Sequence, residues 1–100
     1  MKKKVTVRIQ WVPTELGGKN RFPLKYYSTA AHFLTDDPEQ DWSVYLVIES
    51  NQENYVTICD FRFNFSDRAP QSLIYIGSKF ELFESGKVGD GEIIEIFDIE

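Results

Sequence analysis

The feature that most constrains the fold lies near the C-terminal end. Two segments in which apolar and polar side chains alternate are joined there by a glycine-rich stretch. Phe80 and Leu82 are separated by a charged residue, and a period of two is typical of a strand with one face in a core. Residues 84–91 then contain three glycines, which favour a turn or a bulged hairpin end because glycine adopts positive φ without a Cβ clash. We therefore predict a β-hairpin over residues 77–97.

The second arm of this hairpin is predicted to place Ile94 and Ile96 on one face, and the same spacing would put Asp98 there too. Three residues fit the alternation less regularly, namely Ile93, Phe97 and Ile99. No proline interrupts either arm, so the backbone of both can pair with a neighbouring strand.

Two further segments are predicted to be strands from their patterns alone. Residues 4–12 alternate between apolar and polar side chains, from Val5 to Trp11, and Pro13 ends this strand. Residues 42–49 are mostly apolar and follow an acidic loop. Each segment is long enough to contribute one strand to a sheet.

The segment around Cys59 is predicted to be a long strand whose apolar face switches. Val56 and Ile58 would lie on one face before the cysteine, and Phe61 and Phe63 on the other face after it. A β-bulge produces such a switch, and bulges let the strands of a barrel bend.

Composition and length indicate one folded domain, residues 1–100. Hydrophobic residues make up 42% and aromatic residues 15% of the chain, which excludes a disordered protein and suits strands. The formal net charge is −5, so generic nucleic-acid binding is disfavoured, and the lysines at positions 2–4 are interpreted as a solvated terminus.

Several classes of protein are excluded at this point. One cysteine cannot form an internal disulfide or a multi-cysteine metal site. The apolar runs are too short to span a membrane, and polar residues interrupt what would be a signal-peptide core after the N-terminal lysines. We expect a soluble, cytoplasmic protein with no membrane association.

The predicted hairpin resembles the last hairpin of the C-terminal β-barrel, the third domain, of elongation factor Tu. The matching residues are Phe80, Leu82, Glu84, Gly86, Lys87 and Gly91. The loop after the first strand is similar to that family's E-G-G-R segment, with Leu16 inserted. The residues that match there are Glu15, Gly17, Gly18 and Lys19, with Pro23 as the loop proline.

The middle of the chain departs from the family. Thr29 stands where the family has arginine, and Ala30 and Ala31 stand where it has proline and glutamine. The alanines and Leu34 favour a helix over residues 25–34, whereas the aromatic and β-branched residues and the resemblance favour a strand. With residues 73–77 leading into the hairpin, we predict an all-β fold, a closed antiparallel barrel of six to seven strands with no helix.

No catalytic, metal or cofactor site is predicted. Cys59 lies in mid-strand beside Asp60, where a buried, inert thiol with a raised pKa is the usual outcome. An enzyme that uses His32, the only histidine, is the third hypothesis. Residues 86–91 lack the P-loop pattern, so we expect no nucleotide hydrolysis, and the acidic residues 36–41 lack the spacing of a calcium loop.

The resemblance implies surface recognition, because the elongation factor Tu barrel contacts the nucleotide-binding domain, the tRNA T-stem and the exchange factor. The candidate binding residues are Gly17, Gly18, Lys19, Arg21, Lys25, Gly86 and Lys87. The two glycine-containing segments are equally well interpreted as ordinary turns. We expect a stand-alone, non-catalytic protein-binding module, an accessory or immunity-type factor.

The alternative function is weak binding of structured RNA or tRNA. It predicts a basic face made of Lys19, Arg21, Lys25 and Lys87, which the negative net charge disfavours.

The pattern also leaves open whether four aromatic residues belong to the core or to an interface. These residues are Tyr26, Tyr27, Trp42 and Tyr45.

Overall fold

A computed structural model describes residues 2–13, 25–34, 41–52, 55–64 and 71–99 of the chain. Within these ranges there are six strands: β1 (Lys2–Trp11), β2 (Tyr26–Phe33), β3 (Asp41–Gln52), β4 (Val56–Phe63), β5 (Lys79–Phe83) and β6 (Lys87–Ile99). The helical structure in the described part is one 3-10 turn, Gln71–Leu73. No helix in it is long and apolar enough to cross a membrane. Residues 73–77 belong to this turn and the bend after it, so they form no seventh strand.

The strands form a closed antiparallel barrel. Their order is β1-β4-β3-β2-β5-β6, and β6 pairs with β1 to complete the ring. Because β2, β3 and β4 pair in succession and β1 lies beside β4, these four strands form a Greek key. The predicted all-β barrel is confirmed, whereas its assignment to the elongation factor Tu variety stays a prediction.

Alternate side chains of each strand fill the barrel. The alternation predicted for β1 is confirmed, since Val5, Val7, Ile9 and Trp11 are all buried. The strand predicted for residues 25–34 is also confirmed as β2. Four phenylalanine rings from β2, β4 and β5 meet in the centre, with the centroids of contacting rings 5.1 to 6.1 Å apart. They are Phe33, Phe61, Phe63 and Phe80.

The predicted face switch at Cys59 is wrong, because β4 alternates without interruption. Thr57 lies inside with Cys59 and the two phenylalanines, and its hydroxyl accepts a hydrogen bond from Trp11 Nε1 at 2.7 Å. The sequence pattern assigned only apolar residues to the interior, so it did not place Thr57 there. The bulge lies instead on β3, where the pairing with β4 shifts between Ile48 and Ser50.

A second bulge decides which isoleucines of β6 enter the core. The pairing of β6 with β1 skips Ile94, so the prediction that this residue shares a face with Ile96 is wrong. Ile93 is fully buried before the bulge, and Ile96 pairs with Val5 and packs against the core after it. One extra residue therefore explains the irregular alternation of the second arm.

The predicted β5–β6 hairpin is confirmed, including its bulged end. Phe80 and Leu82 point inward, and the pairing shifts between Leu82 and Phe83 near the turn. The glycines have another role than predicted, because neither Gly89 nor Gly91 has positive φ. Both are buried, and a Cβ atom would lie only 3.2 Å from Ile9 Cγ2 at Gly89 and would clash with the Phe80 ring, at 2.3 Å, at Gly91.

Candidate functional site

The predicted binding residues are placed only in part by the structure. Four of them lie outside the described ranges: Gly17, Gly18, Lys19 and Arg21. Lys25 is exposed just before β2, Gly86 is exposed in the hairpin turn, and Lys87 begins β6. Antiparallel pairing brings the start of β2, the end of β5 and the start of β6 to one end of the barrel.

Lys87 is already bound by two carboxylates. Its Nζ lies 2.7 Å from Asp90 Oδ1 and 2.9 Å from Glu81 Oε2. Hydrogen bonds to Asp90 and then to Glu81 raise the pKa of Lys87 above its ordinary value. An incoming phosphate would be repelled by both carboxylates, so this lysine is a poor phosphate ligand.

Other cations on the outer surface are paired in the same way. Lys4 Nζ lies 2.8 Å from Glu49 Oε2, and Arg8 Nη2 lies 3.1 Å from Glu92 Oε1. Exposed pairs of this kind stabilise the fold by less than about 1 kcal/mol each. Their consequence for binding is larger, because each lowers the positive potential that a nucleic acid would meet.

An open depression of about 290 Å³ lies on the side of the barrel opposite β3. Its walls carry both signs of charge, from Arg8 and Lys79 on one hand and Asp90 and Glu92 on the other, with the half-exposed Leu34 at its rim. Mixed, partly paired charges of this kind select neither an anionic nor a cationic ligand.

The residues that could supply catalysis are held apart. Cys59 is fully buried inside the barrel, and burial, with smaller contributions from Glu49 and Asp60, raises the pKa of its thiol to about 12. The predicted burial of this thiol is confirmed, and the pKa is raised as expected. His32 lies on the outer surface instead, with Nδ1 2.7 Å from Asp41 Oδ1. The described residues contain no group of three side chains suited to a metal ion.

Two of the four undecided aromatic residues belong to the core. The Tyr27 ring packs edge-on against Trp11 with centroids 5.4 Å apart, and its hydroxyl donates a hydrogen bond to Glu84. Burial and this bond raise the pKa of Tyr27 well above its ordinary value. Trp42 packs edge-on against Phe63 with centroids 6.1 Å apart. Both residues therefore act in packing.

The other two aromatic residues form a stacked pair on the outside of the barrel. Tyr26 of β2 and Tyr45 of β3 have centroids 5.8 Å apart and planes inclined by 23°. The exposed fraction of Tyr26 is 62%. We call the surrounding outer surface of β2, β3 and β4 the tyrosine face. It consists of Tyr26, Ser28, Ser43, Tyr45, Arg62 and Asn64.

A small polar cluster fixes one side of the tyrosine face. Asn64 Nδ2 donates to Ser28 Oγ at 2.9 Å and to Ser43 Oγ at 2.6 Å. Ser28 Oγ donates in turn to the carbonyl oxygen of Val44 at 3.0 Å. These bonds hold short polar groups from three strands in fixed positions beside the stacked rings.

Arg62 borders the other side of the tyrosine face. It is the pairing partner of Tyr45 across β3 and β4, and cross-strand partners on one face lie side by side. Its Nε and Nη2 donate to Asp60 Oδ2 at 3.3 and 3.0 Å. The Arg62 side chain is 67% exposed and that of Asp60 only 12%, so the surface presents mainly the guanidinium.

Sequence reasoning missed the tyrosine face, although a signal for it exists. Counting back by twos from the apolar Phe33 places Tyr27 inside and therefore Tyr26 outside. The same count from Leu46 places Tyr45 outside. What the count lacks is the pairing of β2 with β3, which alone brings the two outward rings together.

No protein-family model matches this chain, and a search of curated proteins likewise finds no match.

Proposed function

We propose that this protein is a non-catalytic β-barrel module that binds another protein through the tyrosine face. The observation that carries the proposal is the stacked Tyr26–Tyr45 pair, which leaves large aromatic surface in solvent on a regular sheet. Tyrosine offers a large, amphipathic contact area at low cost in side-chain entropy, and it is enriched in protein interfaces.

The residues around the pair fit a protein-binding surface. Serine and asparagine give adaptable hydrogen bonding beside tyrosine, and arginine is among the residues that contribute most binding energy in interfaces. Ser28, Ser43, Asn64 and Arg62 supply these groups on one contiguous face of three paired strands. The strands also hold the face rigid, which reduces the entropy lost on binding.

The physiological role we propose is that of an accessory or immunity-type factor in the cytoplasm. The support for surface recognition by this fold is the sequence resemblance to the elongation factor Tu barrel. We propose that this factor mimics or engages a barrel surface. Binding of RNA is the competing outcome, and the paired Lys4, Arg8 and Lys87 weigh against it.

The test is an affinity capture from a lysate of the source organism, made with and without ribonuclease. Three baits are compared: the wild type, the double variant Tyr26→Ser/Tyr45→Ser and the control Tyr75→Ser. Tyr75 is also half-exposed but lies in the bend before β5, away from the tyrosine face. Circular dichroism and thermal melting confirm that all three are folded.

We expect a protein that the wild type and the control retain after ribonuclease treatment and that the double variant loses. Equal capture by the double variant would exclude the tyrosine face as the binding surface. Loss of every partner after ribonuclease, with recovered RNA, would replace protein binding by RNA binding. A basic nucleic-acid surface would in addition show a steep loss of binding with salt.

A further inference from the structure

Resting on the proposed function, we propose that the protein partner meets the tyrosine face with an acidic segment, and that Arg62 captures one of its carboxylates beside Tyr45. The tyrosine pair by itself does not specify the chemistry of the partner. The hydrogen bonds from Arg62 to Asp60 and the exposure of the guanidinium do.

The guanidinium of Arg62 is oriented before any ligand arrives. Of its five N–H donors, Asp60 accepts two through a single oxygen, Oδ2. The Arg62 side chain remains 67% exposed, so part of the donor fork still faces solvent. A planar fork matches a carboxylate in a bidentate arrangement, and holding it fixed reduces the entropy cost of binding.

Asp60 positions Arg62 without offering its own charge to the partner. Its side chain is only 12% exposed, whereas that of Arg62 is 67% exposed. The arrangement resembles a second-layer carboxylate that orients a binding group. A partner approaching the face therefore meets the cation first.

Two cations among the described residues neighbour the two tyrosines, one by strand pairing and one by chain position. Arg62 borders Tyr45, and the exposed Lys25 directly precedes Tyr26 in the chain. Of the carboxylates further along β3, Glu49 is paired with Lys4. Among the described residues of the tyrosine face, the exposed charge is therefore that of Arg62, and a cation complements an acidic segment.

A carboxylate suits Arg62 better than a phosphate does. Asp60 is hydrogen-bonded to the guanidinium, and its negative charge repels a phosphate dianion more strongly than a singly charged carboxylate. Phosphorylated peptides are therefore treated as a competing outcome of the test.

The probe is a phage-displayed library of random peptides, selected separately on four folded baits. The baits are the wild type, Arg62→Gln, the double variant Tyr26→Ser/Tyr45→Ser and the control Lys79→Gln. Lys79 is exposed at the start of β5, so its substitution makes the same charge change away from the tyrosine face. Selected peptides are resynthesised with Glu→Gln and Asp→Asn exchanges and with phosphoserine in place of the acidic residue.

We expect an excess of Asp and Glu in peptides selected on the wild type and on Lys79→Gln. Binding of these peptides should fall about tenfold or more on Arg62→Gln, and by a similar factor after exchange of their own acidic residue to the amide. Arg62→Lys should restore binding only in part, because an ammonium cannot make the bidentate contact.

Two results would overturn the inference while the proposed function stands. One is a set of peptides that require the tyrosines but carry no excess of acidic residues or bind Arg62→Gln equally well. The other is a clear preference for the phosphoserine versions. If the wild type selects no peptide that the double variant fails to bind, the inference and the proposed function both fail.

Discussion

Gly91 shows how one residue makes room for the centre of the barrel. A Cβ atom at this position would lie 2.3 Å from Cε2 and Cζ of Phe80, the residue that faces it across β5 and β6. The Phe80 ring cannot swing away, because Phe33 and Phe61 lie against it with centroids 5.1 and 5.3 Å distant. The glycine is thus required for space and not for an unusual backbone angle.

We predict that Gly91→Ala lowers the free energy of unfolding by about 1–3 kcal/mol, the usual cost of forcing a methyl group into a packed core. Gly86→Ala is the matched control, since nothing lies within 4 Å of a Cβ atom there and the backbone does not need positive φ. Urea unfolding measures both. If the two variants are equally stable, the packing of Phe80 over Gly91 is refuted.

At the scale of the element, the bulge in β6 decides what each isoleucine contributes. A strict alternation over residues 92–99 groups Ile94 with Ile96. The bulge turns Ile93 and Ile96 inward and leaves Ile94 only half-buried. Because the two adjacent isoleucines differ in burial but not in chemistry, they form a natural pair for testing the register.

We expect Ile93→Ala to lower the free energy of unfolding by about 2–5 kcal/mol, as for a fully buried side chain that leaves a cavity. Ile94→Ala should cost clearly less, because its side chain is partly solvated in the folded state. Thermal melting followed by circular dichroism distinguishes them. The reverse order of costs would mean that β6 pairs with β1 without the bulge.

At the scale of the whole molecule, the closed ring makes the buried groups depend on one another. β1 pairs with both β4 and β6, so opening either seam exposes the same interior. A small barrel of this kind is expected to unfold in one cooperative step, so the titration of a buried group acts on the stability of the whole.

Stability should accordingly fall at alkaline pH. The pKa of Cys59 is about 12 in the folded barrel against an ordinary value of 9.0, so above pH 9 the unfolded thiol ionises while the folded one does not. This difference removes about 2 kcal/mol of unfolding free energy by about pH 10.5. The raised pKa values of Tyr27 and Lys87 act in the same direction at still higher pH.

Urea unfolding between about pH 7 and pH 10.5 measures this loss, and Cys59→Ala is the control. The variant lacks the titrating thiol, so its stability should fall less over the same interval, whatever the starting value. Equal losses in the wild type and the variant would show that the thiol of Cys59 is not protected in the folded state.

The sequence by itself determined the strand content and the hairpin. Alternation depends on local chemistry, and it placed β1 and the first arm of the β5–β6 hairpin because one face of each strand must leave water. A mostly apolar run indicated β3, and aromatic and β-branched residues, together with the family resemblance, favoured β2. The sequence also predicted that Cys59 is buried, since a free cysteine in mid-strand usually has little access to solvent.

Only the tertiary structure decided the registers and the candidate site. The bulges at Ile94 and on β3 arise from pairing with particular partner strands, which no single strand encodes. The tyrosine face likewise exists because β2, β3 and β4 lie side by side, which joins residues up to 36 positions apart, as in the bond from Asn64 to Ser28. The local pattern determines on which face of its strand a side chain lies, whereas closure of the barrel determines which side chains of other strands lie beside it.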